Sequence, residues 1–467
     1  MRRVALFFIG LLVVVLCAFF LSRPPTPVSA GGSVKGASAE PSVEGGGFVK
    51  SRWVASGRPD VVFVLIDSLR ADHVGFWGYG ENTTPFIDGL AADGLVFMRA
   101  YSQETYTEAS VPSILGSLYP FQHKVLYDRP RMDTLADSIV TLPEVLHDNG
   151  YSTAAFVYNP HLKSGYNFDQ GFDVYDDAPE GFVGSTEPEK YETASKIRGK
   201  VLGWLRSNRS ARPFFLYLHY RDVHDPYLPP PPYDRRFSNV SGANPVADYD
   251  GEIAYTDGQL RLLMADLSGF SNDTVYVITA DHGEEFNDHG HMSHGWSLYD
   301  ELMHVPLIFY SPQRRASFVV RQPVELIDVA PTILGILNIT PPKEFIGRGL
   351  WGALDDGVRF REYVVSGGSK GRLALIRDDI KYYVHPNLTK DQLMSGDDFD
   401  AEWSEEMYNL SSDPHERVNI ISANPELADR FRSNAGEVLG QTGNFSQEKV
   451  DLDANAVKEL QALGYLN

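Results

Sequence analysis

The chain has 467 residues, 43% of them hydrophobic and 22% charged, with 41 basic against 62 acidic side chains and a formal net charge of −21. That length exceeds one ordinary core and the composition is that of a globular protein, which excludes a small disulfide scaffold, a disordered chain, a coiled coil and a multi-span membrane protein. The acidic balance is a poor match for a phosphate backbone, so nucleic acid is not an expected partner. The single cysteine, Cys17, lies in an apolar N-terminal run, so cysteine chemistry carries no expected function.

In chain order, Arg2 and Arg3 precede an apolar run over residues 4–21, which Ser22, Arg23, Pro24 and Pro25 bring to a stop. Residues 1–22 therefore read as a signal peptide, with a small-residue cleavage site at Val28-Ser29-Ala30, or as an uncleaved membrane anchor. Both readings export the remainder, either tethered to a membrane through this segment or free in a periplasmic or extracellular space. Residues 23–57, rich in Gly, Ser, Ala and Pro, read as a flexible linker, and folding is expected from residue 58. Short apolar runs then alternate with amphipathic stretches. This is the pattern of an α/β domain over residues 58–363, with a mainly parallel central sheet and helices on both faces. From residue 364 the pattern turns to short polar-flanked strands, at 373–376 and 381–384, and a late helix near 457–463. These residues, 364–467, read as a small antiparallel C-terminal subdomain.

Three buried-strand patterns end in polar residues. The continuous apolar run 61–66 stops at Asp67, the run 214–218 leads to His219 and then His224, and 275–279 leads to Asp281 and His282. Ligands of open α/β sheets bind beyond the carboxyl ends of the strands, so these groups are expected to converge on one crevice. Asp67, Asp281 and His282 offer two hard oxygen donors and one imidazole, a set suited to one divalent cation; the alternative use of each Asp is as a helix cap. The further histidines His289, His291 and His294 show no fixed ligand spacing. A hydroxyl-rich entry to a short apolar helix, with Thr107, Ser110 and Ser113, supplies either an ordinary N-cap or a nucleophile facing an anion at a helix N-terminus.

The segments Val64-Leu65-Ile66-Asp67-Ser68-Leu69-Arg70, Thr84-Pro85-Phe86-Ile87-Asp88, Thr279-Ala280-Asp281-His282-Gly283, the stretch from His219 to Tyr227, His304-Val305-Pro306 and Asp328-Val329-Ala330-Pro331-Thr332 resemble those of the sulfatase family, within the alkaline-phosphatase-like superfamily. The resemblance implies metal-assisted attack on a sulfate or phosphate ester. Carried over by position, it makes Asp67, Asp281 and His282 metal ligands and His224 the histidine that assists the leaving group. His294 falls where many members place a lysine, and Asn159 stands near the family's Lys/His segment. Register from Leu118-Tyr119-Pro120 puts Thr107 at the nucleophile position, with Ser110 three residues late. Neither the Cys nor the Arg of the common formylglycine motif is present, so phosphate and phosphonate esters stand beside sulfate esters. His282, where many members have Asn, moves metal preference from calcium toward manganese or zinc, with calcium still compatible.

The expected function is thus an exported metal-dependent ester hydrolase acting on a sulfated or phosphorylated small molecule, glycan or lipid headgroup. A phosphodiesterase or phosphotransferase using Thr107 and a catalytically inactive binding protein are the alternatives.

Overall fold

The computed structural model describes residues 46–440 and 449–451, apart from 56, 127–130, 178–191, 209–212, 239–243, 316, 355–357, 369–370, 389–391 and 393–401. The expected N-terminal export segment and the late helix at 457–463 lie outside the described residues. The folded part begins earlier than the residue 58 read from composition. Helix α1, Gly46–Trp53, buries Val49 and Trp53, and the Ala55 amide donates to the Ile336 carbonyl at 2.8 Å. Composition missed this helix because its two glycines and Ser51 look like linker, while one tryptophan supplies the anchoring area.

The central sheet contains nine strands: β1 Asp60–Ile66, β2 Leu95–Tyr101, β3 Ser152–Val157, β4 Val174–Asp176, β5 Phe214–Tyr220, β6 Thr274–Thr279, β7 His304–Tyr310, β8 Phe318–Val320 and β9 Val324–Glu325. Their order is β8-β2-β7-β6-β1-β5-β3-β4, with β9 also on β2. Pairing is parallel except around β7, which runs antiparallel to both β2 and β6. The central strands are buried along their whole length, as a sheet covered on both faces requires, which is why β1 and β6 carry unbroken apolar runs. The helices that matter for the site are α2 Pro85–Asp93, α3 Thr107–Gly116, α4 Leu142–Asp148, α5 Thr193–Ser207, α6 Pro245–Leu267 and α7 Val329–Ile336. Thr141 opens α4 with a reciprocal capping box to Glu144.

A second sheet, β10 Val364–Gly367, β11 Leu373–Arg377, β12 Ile380–Pro386 and β13 Trp403–Asn409, is wholly antiparallel in that order, with helix α8 Pro425–Leu439 against it. Alternation along β12 separates two jobs. Tyr382 faces α8 and stacks on Phe431 at 5.7 Å, whereas Tyr383 joins Leu298 and Met303 of the large domain in a separate apolar cluster. On the same side as Tyr383, the fully buried Lys381 ammonium lies 2.8 Å from Glu416 and 3.1 Å from Asp300. Burial pushes the Glu416 carboxyl up, and the Lys381 ammonium opposes that shift. Lys381→Met is expected to cost about 3 kcal/mol in urea unfolding, since it strands a buried carboxylate, and Lys381→Met with Glu416→Gln is expected to recover most of that loss.

Candidate active site

Strands β6, β1, β5 and β3 are consecutive and parallel, so their carboxyl ends share one edge. Leu65 pairs with both Thr279 and His219, and His219 pairs with Val157, which delivers Asp67, Asp281, His282 and Asn159 to one level. Two antiparallel steps across β7 leave β2 running in the same direction as β6, and the chain leaving β2 starts α3 at Thr107 on that edge. The turn out of β1 is unusual: Ser68 adopts φ 62°, its amide points at Asp281 Oδ1 (3.4 Å) and its hydroxyl donates to Asp67 Oδ1 (3.2 Å). Tyr249 of α6 fixes that turn by donating to the Ser68 carbonyl at 2.8 Å.

Asp67, Asp281 and His282 bring carboxylate oxygens and an imidazole nitrogen within 4.8 Å of one another, and all three residues are buried. The His282 Nδ1 lies 2.9 Å from the Gly283 carbonyl, which takes the ring hydrogen and turns Nε2 toward the two carboxylates. Burial pushes the Asp281 carboxyl up, and the neighbouring Asp67 adds to the effect. For Asp67 burial acts in the same sense, but His224, His219 and His282 together outweigh it and hold this carboxyl well below the usual range. Burial disfavours the His282 imidazolium, yet Asp281 and Asp67 outweigh it and push this ring up. Asp281 Oδ2 is buried and has no hydrogen-bond partner among the described residues. Two close acids, one with an orphaned oxygen, plus an imidazole lone pair fit a divalent cation, which would satisfy all three at once.

Thr107 is the first residue of α3, and its Oγ1 lies 3.3 Å from His282 Nε2. Asn159 Nδ2 donates both to this oxygen (3.3 Å) and to Asp67 Oδ2 (2.8 Å), so one amide links the hydroxyl to the carboxylate. Ser110 is used differently: its hydroxyl donates to the Asp281 carbonyl at 2.7 Å and thereby fastens α3 to the loop after β6. Ser113 accepts from His123, whose other ring nitrogen accepts from the Val125 amide, and burial pushes that imidazole down to about 3. Of the three hydroxyls in this helix, Thr107 is the one placed against the acid and imidazole cluster.

His224 and His294 complete the pocket. The His294 ring centroid lies 4.3 Å from that of His282 and 4.8 Å from that of His224. His294 Nδ1 is 3.0 Å from Glu284 Oε1, and burial pushes the Glu284 carboxyl up to about 8. Burial and then the adjacent Arg221 push His224 well below the usual imidazole range. Its Nδ1 sits 2.7 Å from the Asp225 carbonyl and 2.9 Å from the Arg221 guanidinium.

Asp67, Asp281, His282, Thr107, His224 and His294 thus meet in one buried constellation. Two partners were undervalued there. Asn159 lies two residues beyond the end of β3, and nothing local announces that it bridges Thr107 and Asp67. His219, the only basic residue within β5, places Nε2 3.1 Å from Asp67 Oδ2 and Nδ1 3.1 Å from the Tyr217 hydroxyl; the signal for it was an imidazole inside an otherwise apolar strand. The second sheet also reaches this region: Arg372, just before β11, donates to the Gly295 carbonyl at 2.7 Å and pairs with the buried Glu104 at 3.2 Å.

A mainly parallel sheet whose carboxyl edge gathers two acids, an imidazole and a helix-terminal hydroxyl, with a small antiparallel sheet beside it, is the alkaline-phosphatase-like architecture. The model of the sulfatase family matches residues 59–339, and the chain belongs to that family. An N-acetylgalactosamine-6-O-sulfatase of Bacteroides thetaiotaomicron is 22% identical, over 80% of this chain and 91% of its own. An arylsulfatase of Clostridium perfringens is 23% identical, over 78% of this chain and 91% of its own. The crystal structure of the phosphonate monoester hydrolase of Agrobacterium radiobacter superposes with a TM-score of 0.64 at 19% identity, covering 82% of this chain and 95% of that one.

Proposed function

We propose that the protein is an exported, metal-dependent sulfatase that hydrolyses sulfate esters of a saccharide, with Thr107 as the nucleophile. The observation that carries this reading is the Thr107 hydroxyl at a helix N-terminus, 3.3 Å from both His282 Nε2 and Asn159 Nδ2. Asp67, Asp281 and His282 are the residues that would hold the cation, and a bound cation supplies positive charge that acidifies a nearby hydroxyl and neutralises ester oxygens. Within the chain, Asn159 orients Thr107 Oγ1, and the α3 N-terminus favours the negative group that approaches it. Attack forms an Oγ1–S bond as the Thr107 hydroxyl proton leaves to solvent, and breaks the bond from sulfur to the alcohol oxygen. The negative ester offsets the effect of Arg221 on His224, so the ring gains a proton and passes it to the departing oxygen. Water then cleaves the threonine sulfate, releasing sulfate and restoring the hydroxyl. His294, held at 3.0 Å by Glu284, is the further imidazole that would face the transferring group.

The likeness to the N-acetylgalactosamine-6-O-sulfatase supports a sulfated saccharide as substrate, and the apolar segment at residues 4–21 supports export. A phosphate or phosphonate ester is the second reading, favoured by one observation: a threonine cannot be converted to formylglycine, whereas its alkoxide is a competent nucleophile toward phosphorus. The test is a panel of aryl sulfate, aryl phosphate, aryl phosphodiester and aryl phosphonate esters given to the purified protein. Fastest turnover of the sulfate supports the first reading, fastest turnover of a phosphorus ester replaces it with the second, and no turnover of any ester refutes both.

A further inference from the structure

A cleft of about 430 Å³ opens where the β2, β8 and β9 edge of the large sheet meets β10 and β11 of the small one. None of the catalytic constellation lines it. Its lining includes Arg99, Arg321, Arg359, Arg361 and Arg377 against Asp378 and Asp379, an unusual concentration of cations in a chain of net charge −21. The arginines come from four separate segments, so the concentration arises from folding and not from a basic run in the sequence.

Most of them are held in place by acids at the rim or behind the wall. Arg361 lies 2.7 Å from the buried Glu325 and is also paired with Asp328; Arg359 lies 2.7 Å from Asp378, Arg377 2.8 Å from Glu362, and Arg99 3.0 Å from Asp379. Arg99 also donates to the Asp378 carbonyl at 2.5 Å, which ties the two sheets together across the cleft. A guanidinium has five N–H groups, and one or two carboxylate contacts leave others unused on fixed side chains. Arg321, exposed in the link between β8 and β9, has no acidic partner among the described residues. The volume is that of a small-ligand site, enough for a tetrahedral oxyanion and an attached ring.

We propose that this cleft is a second anion site, separate from the catalytic centre, that binds a sulfate or phosphate group through the guanidinium groups of Arg321, Arg377 and Arg99. The group is either the free ion or one carried on a saccharide. Guanidinium forks match the paired oxygens of a tetrahedral oxyanion, and the fixed acids between them limit the site to one such group. In the second case the proposal rests on the saccharide sulfatase reading; in the first it stands without it.

The experiment is isothermal titration of the full chain at low ionic strength with sodium sulfate, with a sulfated oligosaccharide and with its unsulfated counterpart. Wild type and Thr107→Ala are both expected to bind sulfate in this cleft. Arg321→Glu is expected to weaken that binding about ten-fold or more, and Arg377→Gln by a smaller factor, with thermal unfolding midpoints unchanged. Because Thr107→Ala and the titration do not depend on turnover, failure of the proposed chemistry leaves this result intact. Equal weakening for sodium sulfate and for the oligosaccharide identifies the free ion as the ligand; a larger effect with the oligosaccharide identifies the saccharide-borne group. Binding of neither probe by wild type, or identical isotherms for wild type, Arg321→Glu and Arg377→Gln, overturns the proposal.

Discussion

Replacing Thr107 by alanine is expected to lower kcat for the best aryl ester by about 10⁴-fold or more, the range seen when a nucleophile is removed, with little change in KM. The substitution deletes the hydroxyl oxygen that lies 3.3 Å from both His282 Nε2 and Asn159 Nδ2 and leaves the acids and imidazoles in place. Its structural cost is the hydrogen bonds to Asn159 and His282, about 1 kcal/mol each, which urea unfolding measures separately. Thr107→Ser keeps the oxygen and is expected to retain turnover within about two orders of magnitude of wild type, since only rotamer restriction is lost. Ser110→Ala is the informative contrast. It removes a bond to the Asp281 carbonyl, so it is expected to lower stability by about 1 kcal/mol while kcat falls far less than in Thr107→Ala. Full activity in Thr107→Ala, or an inactive but stable Ser110→Ala, would move the nucleophile to Ser110.

Chelation of divalent cations is expected to abolish turnover, with recovery on adding back manganese, zinc or calcium in an order that identifies the preferred ion. Asp281→Asn is expected to reduce kcat by about 10³-fold or more and to remove the rise in melting temperature that the added cation gives wild type. In the metal-free protein the sign reverses. Burial and Asp67 already push the Asp281 carboxyl up, so a neutral amide relieves repulsion between two acids and is expected to raise Tm by a few degrees. A binding module that needs no cation predicts no such reversal. Scanning calorimetry of wild type and Asp281→Asn, each with and without added metal, gives the four values that decide it.

The uninterrupted apolar stretches of β1, β5 and β6 made buried parallel strands readable, because a strand covered on both faces has no polar positions until it emerges. The polar residue at each emergence was readable for the same reason, and Asp67, Asp281 and His282 were found that way. Helix α1 was not, since a short segment stabilised by burying Val49 and Trp53 against distant helices has no local pattern of its own. The antiparallel direction of β7 was equally hidden: a central strand is apolar whichever way it runs.

What the residues determined alone is therefore chemical: a family, a set of acids, imidazoles and hydroxyls, and the strand ends from which they project. Which hydroxyl faces the acids was decided in three dimensions. Ser110 is turned aside to a backbone carbonyl while Asn159, which sits 52 positions from Thr107, reaches it at 3.3 Å. The arginine cleft is the same kind of fact, five cations drawn from separated segments to one junction of two sheets. Local sequence sets what a side chain can do, but strand order and register set what it touches, and those depend on how the whole core packs.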